Sequence, residues 1–464
     1  MESDEQKPPW KSVDFCPGIG LQSRTLTPYQ FEAWPSTELD SDLQIYKTKI
    51  ALYEKYHVWE LAKKMANPYE CIYTQDETHF HPSLCLFRPL SRSFYKMIEI
   101  LSVLQFFERL PKTTNKIRSA HVAEGPGGFI EALLERADKL KKTVSNVTAM
   151  TLKPTDSHTP GWRRASGFLQ KHKEIILHYG IDGTGDMYQK GNQESFVEAA
   201  KPGVHLFTAD GGFDFSLDYF LQEKRVFHLL ICSALIGLQV LAQDGSFILK
   251  FFDISAKPTQ ILIAHITSCF KEWTVYKPVT SRPCNSERYL LCRGYRGVKK
   301  EVIEILTEME TQSLRDLYPV NMEVLTEGGA AFFKKNIEDT VVLQKNALGL
   351  AESFINDPSL WKEAFQSHFQ RSIQWCSTFQ MPFLQKRPLA LTVEAVVSQM
   401  SLRAAALQSR RPDAESETPL PSDPASSALS GDCSCDTAHH SEPPPADSDN
   451  REKTQADAPL SDLP

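Results

Sequence analysis

The sequence predicts an α/β protein built on a mostly parallel sheet, and three observations carry that prediction. Between residues 119 and 297, strand-like and helix-like segments alternate, the pattern of a sheet covered by helices on both faces. The stretch His121-Val122-Ala123-Glu124-Gly125-Pro126-Gly127-Gly128-Phe129 joins a buried strand to a helix through a glycine-rich turn. Glycine lets backbone approach a ligand closely, and the following helix N-terminus offers unpaired N–H groups. Polar residues also stand just past several strand-like runs, the rim where open α/β sheets bind ligands.

Taken in order, residues 1–88 form an N-terminal extension. Pro8, Pro9, Pro17, Pro28 and Pro35 break its first part. Residues 40–64 then carry Leu43, Tyr46, Ile50, Leu52, Tyr53, Tyr56 and Trp59 at the spacing of one helix face. His79 and His81 lack a third ligand at metal-binding spacing and are expected to be loop histidines. A helix capped by Ser91 or Ser93 is expected to run to about residue 110, with Met97, Ile100, Leu101, Leu104 and Phe107 as its apolar stripe.

In the alternating region, strands are expected at 120–124, 147–152, 174–178, 204–210, 246–252, 273–277 and 288–292. Helices are expected at 129–140, 217–241 and 258–270. Only a loop separates the last two strands, so one antiparallel strand is expected in an otherwise parallel, Rossmann-like sheet of seven. Residues 298–404 read as a helical appendix, with helical spacing at 302–310, 323–333, 340–354, 360–379 and 393–407 and no strand signal between them.

Charge and composition separate the ends from the body. The 464 residues carry a formal charge of −7, with 41% hydrophobic and 23% charged residues. Residues 405–464 hold twelve acidic and four basic residues and nine prolines, which leaves 46 acidic and 47 basic residues elsewhere. That tail has too little apolar surface to offset chain entropy and is expected to be disordered. Within it, Cys433, Cys435, His439 and His440 are taken as chance composition rather than a metal site. The nearly neutral body leaves nucleic-acid binding to local basic patches. Lys139, Lys141, Lys142, Arg163, Arg164, Lys171 and Lys173 read as a solvated surface. Arg282, Arg288, Arg293 and Arg296 cluster around residue 287, where they could hold phosphates.

The longest apolar run, residues 226–242, is interrupted by His228, Ser233 and Gln239 and is short for a bilayer span. Residues 1–10 are charged and polar rather than secretory, and the ten cysteines form no repeating framework. An intracellular location, nuclear or cytoplasmic, is therefore expected, with no secretion and no transmembrane segment. Nor does the chain show a repeat of the kind that builds solenoids.

Four motifs, in order along the chain, resemble the FtsJ-like ribose 2′-O-methyltransferases. Ser91-Arg92-Ser93-Phe94-Tyr95-Lys96 resembles the start of the family's first helix, which carries the first lysine of a Lys-Asp-Lys-Glu tetrad. Ala209-Asp210-Gly211-Gly212 resembles its aspartate motif, Ile248-Leu249-Lys250 its second lysine, and Ser281-Arg282-Pro283-Cys284-Asn285-Ser286-Glu287 its glutamate loop. The resemblance covers residues 89–297 and implies catalytic roles for Lys96, Asp210, Lys250 and Glu287. It implies S-adenosyl-L-methionine as cofactor, bound by Glu124, Gly125, Pro126, Gly127, Gly128, Phe129, Asp186 and Asp210, and no metal. Asp182 suits either the pocket or a turn.

Many methyltransferases carry an acidic residue after the second strand for the cofactor ribose, whereas this chain has Thr151-Leu152-Lys153. The extension and appendix resemble cap-type members, including those of large DNA viruses. They imply capped mRNA as partner and methylation of a ribose 2′-OH near its 5′ end. Ribosomal or transfer RNA, or a non-catalytic RNA-binding scaffold, remain alternatives. A ribose hydroxyl is a weak nucleophile at neutral pH, so a group must take its proton. Lys250 is expected to deprotonate or orient it, with a pKa lowered by Lys96 and burial.

Overall fold

The computed structural model describes residues 9–18, 27–29, 38–74, 83–114, 116–155, 161–212, 222–315, 318–320, 325, 327–384, 397–398, 400–403, 405–406 and 409. His79, His81 and the tail cysteines and histidines lie outside these residues. Chain contacts divide the molecule into residues 1–411 and residues 412–464, the second unit lying outside the described residues.

The described strands are β1 (Cys16–Pro17), β2 (Thr27–Tyr29), β3 (Lys116–Val122), β4 (Thr143–Met150), β5 (Ile175–Leu177), β6 (Val204–Ala209), β7 (Leu241–Phe251), β8 (Phe270–Tyr276), β9 (Arg288–Tyr295) and β10 (Tyr318–Val320). The helices are α1 (Glu38–Lys55), α2 (Trp59–Met65), α3 (Ser93–Leu104), α4 (Phe106–Arg109), α5 (Gly128–Lys139), α6 (Ser166–Lys171), α7 (Lys190–Ala199), α8 (Gln222–Val240), α9 (Lys257–Ser268), α10 (Lys300–Ser313), α11 (Glu327–Asn356) and α12 (Trp361–Thr378).

The main sheet has eight strands in the order β1-β8-β9-β7-β6-β3-β4-β5. From β5 to β7 neighbouring strands are parallel, while β9 runs antiparallel to both β7 and β8. The seven expected strands are all present, with β9 as the single reversed one. The eighth, β1, extends the β8 edge antiparallel from the N-terminal extension. Its two residues carry no period-2 pattern, which is why the sequence does not announce it.

Helices cover both faces. One apolar cluster joins α8, α9 and α10 to the sheet through Phe207, Phe247, Leu249, Phe270 and Leu306. The other joins α3, α5 and α12 through Phe94, Met97, Leu101, Phe129, Ile248, Tyr289 and Trp375. Gly128 permits the second arrangement, because a Cβ there would lie 2.4 Å or closer to the Ser91 and Ser93 hydroxyl oxygens.

Several local expectations change. The helix expected at 40–64 is two, broken where His57 takes φ +55°. Leu52, expected on its buried face, is exposed. The helix expected from 91 to 110 divides into α3 and α4 at Gln105, φ +52°. Neither Ser91 nor Ser93 caps α3 by a side-chain bond; their hydroxyls bond each other at 2.6 Å. From residue 327 on, the segments expected at 323–333 and 340–354 are parts of one helix, α11. A strand, β10, lies in the expected all-helical appendix and pairs antiparallel with β2, Pro319 opposite Pro28. A proline on each strand and a three-residue length hide that ribbon from propensity. Helices α6 and α7 were not expected at all.

The N-terminal extension and the appendix share a core. Leu43, Ile50, Tyr53, Trp59, Leu61 and Met65 pack with Leu348, Phe354, Trp361 and Phe365. Glu352 on α11 accepts hydrogen bonds from Lys49 Nζ at 2.9 Å and Tyr53 OH at 2.6 Å. Among the described residues no helix is long and apolar enough to cross a membrane, and the eight described cysteines are free.

Trp361 is 1% exposed and its Nε1 donates to the Phe354 carbonyl at 3.0 Å. Trp361→Ala is expected to destabilise the protein by about 3–5 kcal/mol, measured by urea unfolding followed by circular dichroism. A change below about 1 kcal/mol would mean that this shared core is not part of the cooperative unit.

Candidate active site

Strand register sets two of the site's side chains. Ala209 of β6 pairs with Leu249 of β7, so Asp210 leaves β6 beside Lys250. Lys250 pairs across the sheet with Tyr289 of β9, and directly opposite residues point to the same face. The result is a compact cluster. Lys250 Nζ donates to the Asp210 carbonyl at 2.6 Å and lies 3.3 Å from its Oδ1, which also accepts from Tyr289 OH at 2.9 Å.

Lys96 arrives from α3, and its Nζ sits 2.6 Å from Glu287 Oε1. Ser281 Oγ donates to the same oxygen at 2.7 Å. The structure thus brings Lys96, Asp210, Lys250 and Glu287 together from four separate elements. Their side chains are 15%, 12%, 12% and 9% exposed, respectively, so the cluster is largely enclosed.

Electrostatics couple the two pairs. Burial raises the Glu287 carboxyl, but the charges of Lys96, Lys250 and Lys277 outweigh it and hold the group well below the usual carboxylate range. Lys250 behaves oppositely to expectation. Burial pulls its ammonium down, yet Asp210 and then Glu287 pull harder, and the net shift is upward. The expected lowering treated the second lysine as the dominant neighbour, whereas two carboxylates stand nearer in effect.

Lys277 is a site residue that the sequence reading missed. Its Nζ donates to the Asn285 carbonyl, Asn285 Oδ1 and the Glu287 carbonyl, each at 2.9 Å, and to Ser281 Oγ at 3.3 Å. It ties the loop 277–287 into a knot that presents Glu287. Burial, acting against Glu287, brings its pKa down to about 7. A lysine at a strand end gives no signal separable from a solvated charge. Tyr289 was likewise missed, although its place two residues after Glu287 puts it at the inward start of β9.

Two further buried carboxylates anchor the surroundings. Glu99, on α3 beyond Lys96, accepts from Tyr276 OH and Val279 N at 2.8 Å, Thr280 Oγ1 at 2.6 Å, Thr280 N at 3.1 Å and Trp375 Nε1 at 3.1 Å. Glu70 of the extension accepts from Arg92 at 3.0 Å, Arg282 at 2.8 and 3.2 Å and Asn67 at 2.8 Å. Burial raises Glu70, but Arg282 and Arg92 outweigh it and hold it well below the usual range.

The expected arginine cluster is therefore divided. Arg282 is committed to Glu70, and Arg293 pairs with Glu272 at 2.7 Å while lying over the Phe15 ring. Arg288 is buried, with its Nε unpartnered among the described residues.

The glycine turn lies alongside the cluster. Glu124 Oε1 accepts from Phe129 N at 2.9 Å and Oε2 from Thr208 Oγ1 at 3.3 Å, so this carboxyl caps α5. Burial first, and Asp210 second, push it well above the ordinary carboxylate range. Gly127 takes φ +102°. A Cβ at Gly125 would lie 2.7 Å from the Gly161 carbonyl, and one at Gly127 3.2 Å from the Trp162 ring. A Cβ at Gly212 would lie 3.3 Å from Lys250 Nζ, so glycine keeps the space before that ammonium clear.

Farther along the rim, the loop 179–186 latches onto the end of β4 through Lys153 N to the Thr184 carbonyl at 2.7 Å. Asp186 Oδ1 accepts from Tyr188 N at 2.9 Å. Asp182 holds its own turn through Thr184 and Asn192 and is fully exposed, which is the turn alternative. S-adenosylmethionine has a polar amino-acid end, and the residues at the glycine turn fit it. The glycine turn and the α5 N-terminus form a close-approach cradle, and beside it Trp162 Nε1 is a buried donor without a partner among the described residues.

Comparison with known proteins adds the following. Residues 89–295 match the family model described as FtsJ-like methyltransferase. The chain is similar to cap-specific mRNA (nucleoside-2′-O-)-methyltransferase 1 of Xenopus laevis, 31% identical over 61% of this chain and 36% of that protein. It is similar to the Homo sapiens protein of the same name, 33% identical over 52% of this chain and 30% of that protein. To cap-specific mRNA (nucleoside-2′-O-)-methyltransferase 2 of Danio rerio it is 33% identical over 47% of this chain and 30% of that protein. The chain spans about a third of the length of these relatives. Among solved structures, human methyltransferase-like protein 13 in complex with SAH covers 54% of this chain and 93% of its own, at 12% identity and a TM-score of 0.29. Thermotoga maritima spermidine synthase covers 53% and 74%, at 13% identity and 0.28.

A carboxylate whose folded pKa is depressed contributes stability that is fully present above its unfolded pKa and lost as pH falls toward the folded value. Wild-type stability is therefore expected to fall as pH drops below about 4.5. In Glu70→Gln, lower in stability at neutral pH, the slope between about pH 5 and pH 3 is expected to be shallower. Equal slopes in urea unfolding across that window would show that Glu70 is not held ionised by Arg92 and Arg282.

Proposed function

Because the chain carries an FtsJ-like methyltransferase domain at residues 89–295, we propose that it transfers a methyl group from S-adenosylmethionine to a ribose 2′-OH of RNA, near the 5′ cap of mRNA. The observation that carries this reading is the pair of buried contacts Lys96–Glu287 and Lys250–Asp210 on one sheet rim, next to the glycine turn. The similarity to cap-specific relatives supports the mRNA substrate.

The cofactor, when bound, supplies an electrophilic methyl on a cationic sulfur. Glu124, Gly125, Pro126, Gly127, Gly128 and Phe129 would hold its amino-acid end and Asp186 its adenine end. Asp210 belongs to both the pocket and the tetrad. Lys250 enters as an ammonium with three donors. The Asp210 carbonyl and carboxylate take two, which leaves one for the ribose 2′-oxygen. Its first role is to orient that oxygen, and orientation is a large share of what a displacement reaction needs. To accept the hydroxyl proton it must first lose its own, which a further positive charge in the pocket promotes. Lys96 neutralises Glu287 and keeps it from raising Lys250 further. Tyr289 fixes the Asp210 carboxylate, and Lys277 holds the Glu287 loop.

The reading is tested by incubating the full chain with labelled methyl donor and RNA that is capped, uncapped, or ribosomal. Labelling of capped RNA at a ribose, identified by mass spectrometry of the nucleotide, is expected. Lys250→Ala should reduce the rate by about 10²–10⁴-fold while leaving cofactor binding by calorimetry nearly intact. Undiminished labelling by Lys250→Ala would remove the tetrad mechanism. Cofactor binding without labelling of any RNA would replace the enzyme with a scaffold.

A further inference from the structure

On the α8 side of the sheet stands a second cluster that methyl transfer does not use. His228 and Cys232 lie one turn apart on α8, and Glu310 faces them from α10. Their donor atoms lie within 4.8 Å of one another. Cys232 Sγ is 3.7 Å from His228 Nε2 and 3.3 Å from Glu310 Oε1. A tetrahedral zinc ion with ordinary bonds to sulfur, nitrogen and oxygen sets those separations at about 3.6 Å.

The hydrogen bonds prepare each ligand. Ser313 Oγ spends its single proton on the Glu310 carbonyl at 2.8 Å. It therefore accepts from His228 Nδ1 at 2.7 Å, which leaves the Nε2 lone pair aimed at Cys232. Glu310 Oε1 is oriented by Gln193 Nε2 at 2.7 Å, and Tyr188 packs edge-on against His228. Metal-binding histidines and carboxylates are usually steadied by such outer partners. The one thiol proton of Cys232, given to Glu310 Oε1, leaves the His228 Nε2 lone pair facing the sulfur without a proton between them. Glu310, with Asp186 beyond it, also makes the surroundings anionic.

We propose that His228, Cys232 and Glu310 bind a divalent transition-metal ion of the zinc class, with a water or a further side chain as fourth ligand, cross-linking α8 to α10. Binding replaces the thiol proton by a metal–sulfur bond and releases that proton to solvent. The ion joins the methyltransferase domain to the first helix beyond it. It has no part in methyl transfer.

The test uses the full chain carrying Cys433→Ser and Cys435→Ser, which removes the tail's thiols. The protein is stripped with a chelator and titrated with zinc against a competing chromophoric chelator. About one tightly bound zinc per chain is expected. His228→Ala, Cys232→Ser and Glu310→Gln should each weaken binding by at least about ten-fold, and Ser313→Ala should weaken it by about ten-fold through His228. Cobalt in place of zinc should give a near-ultraviolet sulfur-to-metal absorption that Cys232→Ser abolishes. Folded wild-type protein that takes up no zinc, or cobalt protein without that absorption, overturns the site even where a variant fails to fold. Because the readout is metal uptake, failure here is distinguishable from failure of the methyltransferase reading.

Discussion

Buried opposite charge is the constraint on which the site depends. Four ionisable side chains cannot be enclosed on a sheet rim unless each finds its counterpart, because an isolated buried charge is far costlier than a paired one. Lys96 with Glu287 and Lys250 with Asp210 meet that condition with formal charges that cancel. Removing one member leaves its partner buried and unpaired, at about 3–5 kcal/mol. The arrangement is therefore self-enforcing. Helix α3 must deliver Lys96 to the Glu287 loop, and β6, β7 and β9 must keep register for Asp210, Lys250 and Tyr289 to meet.

The same constraint reaches the segments outside residues 89–295. Glu99 lies on the helix that carries Lys96, and its five donors include the backbone of the 276–280 segment and Trp375 of α12. Glu70 of the extension draws Arg92, next to that helix, and Arg282, on the Glu287 loop, into one buried network. Two carboxylates thus hold the extension and the appendix to the two elements that present Lys96 and Glu287. A change in either segment acts on the site through these contacts without touching substrate.

Much of this was legible in the residues because it is written locally. The strands β3, β6 and β7 are apolar runs that end in glycine or a charge, which singles out Glu124, Asp210 and Lys250, whereas Lys96 and Glu287 are reached only through the family resemblance. What was not legible depends on pairing across distance. Strand β1 exists because β8 offers an open edge, and β2 and β10 exist because each completes the other. Lys277 reads as a surface lysine until the loop folds back and places three carbonyl oxygens and a hydroxyl around it. His228 reads as an interruption in an apolar helix, and its meaning depends on Glu310, which is 82 residues away in sequence. Arg293 read as a phosphate ligand because sequence proximity to Glu287 was taken for spatial proximity. Along β9 it is instead carried away to meet Glu272.

The direction of the Lys250 shift changes how the site should be understood. A lysine flanked by another lysine suggests a lowered pKa and a ready base. Here Asp210 and Glu287 outweigh burial, and the amine rests as an ammonium. Lys277, bonded to Asn285, Ser281 and the Glu287 carbonyl, is the lysine that burial brings down to about 7. Protonation is thus distributed by carboxylate proximity rather than by depth. In the proposed reaction, a hydroxyl entering beside Lys250 would meet a fixed donor first, and proton transfer would become favourable only when the positive charge of the pocket increases. That ordering places alignment of the oxygen before its deprotonation. It matches a reaction in which the electrophile is already activated and geometry is the larger part of the barrier.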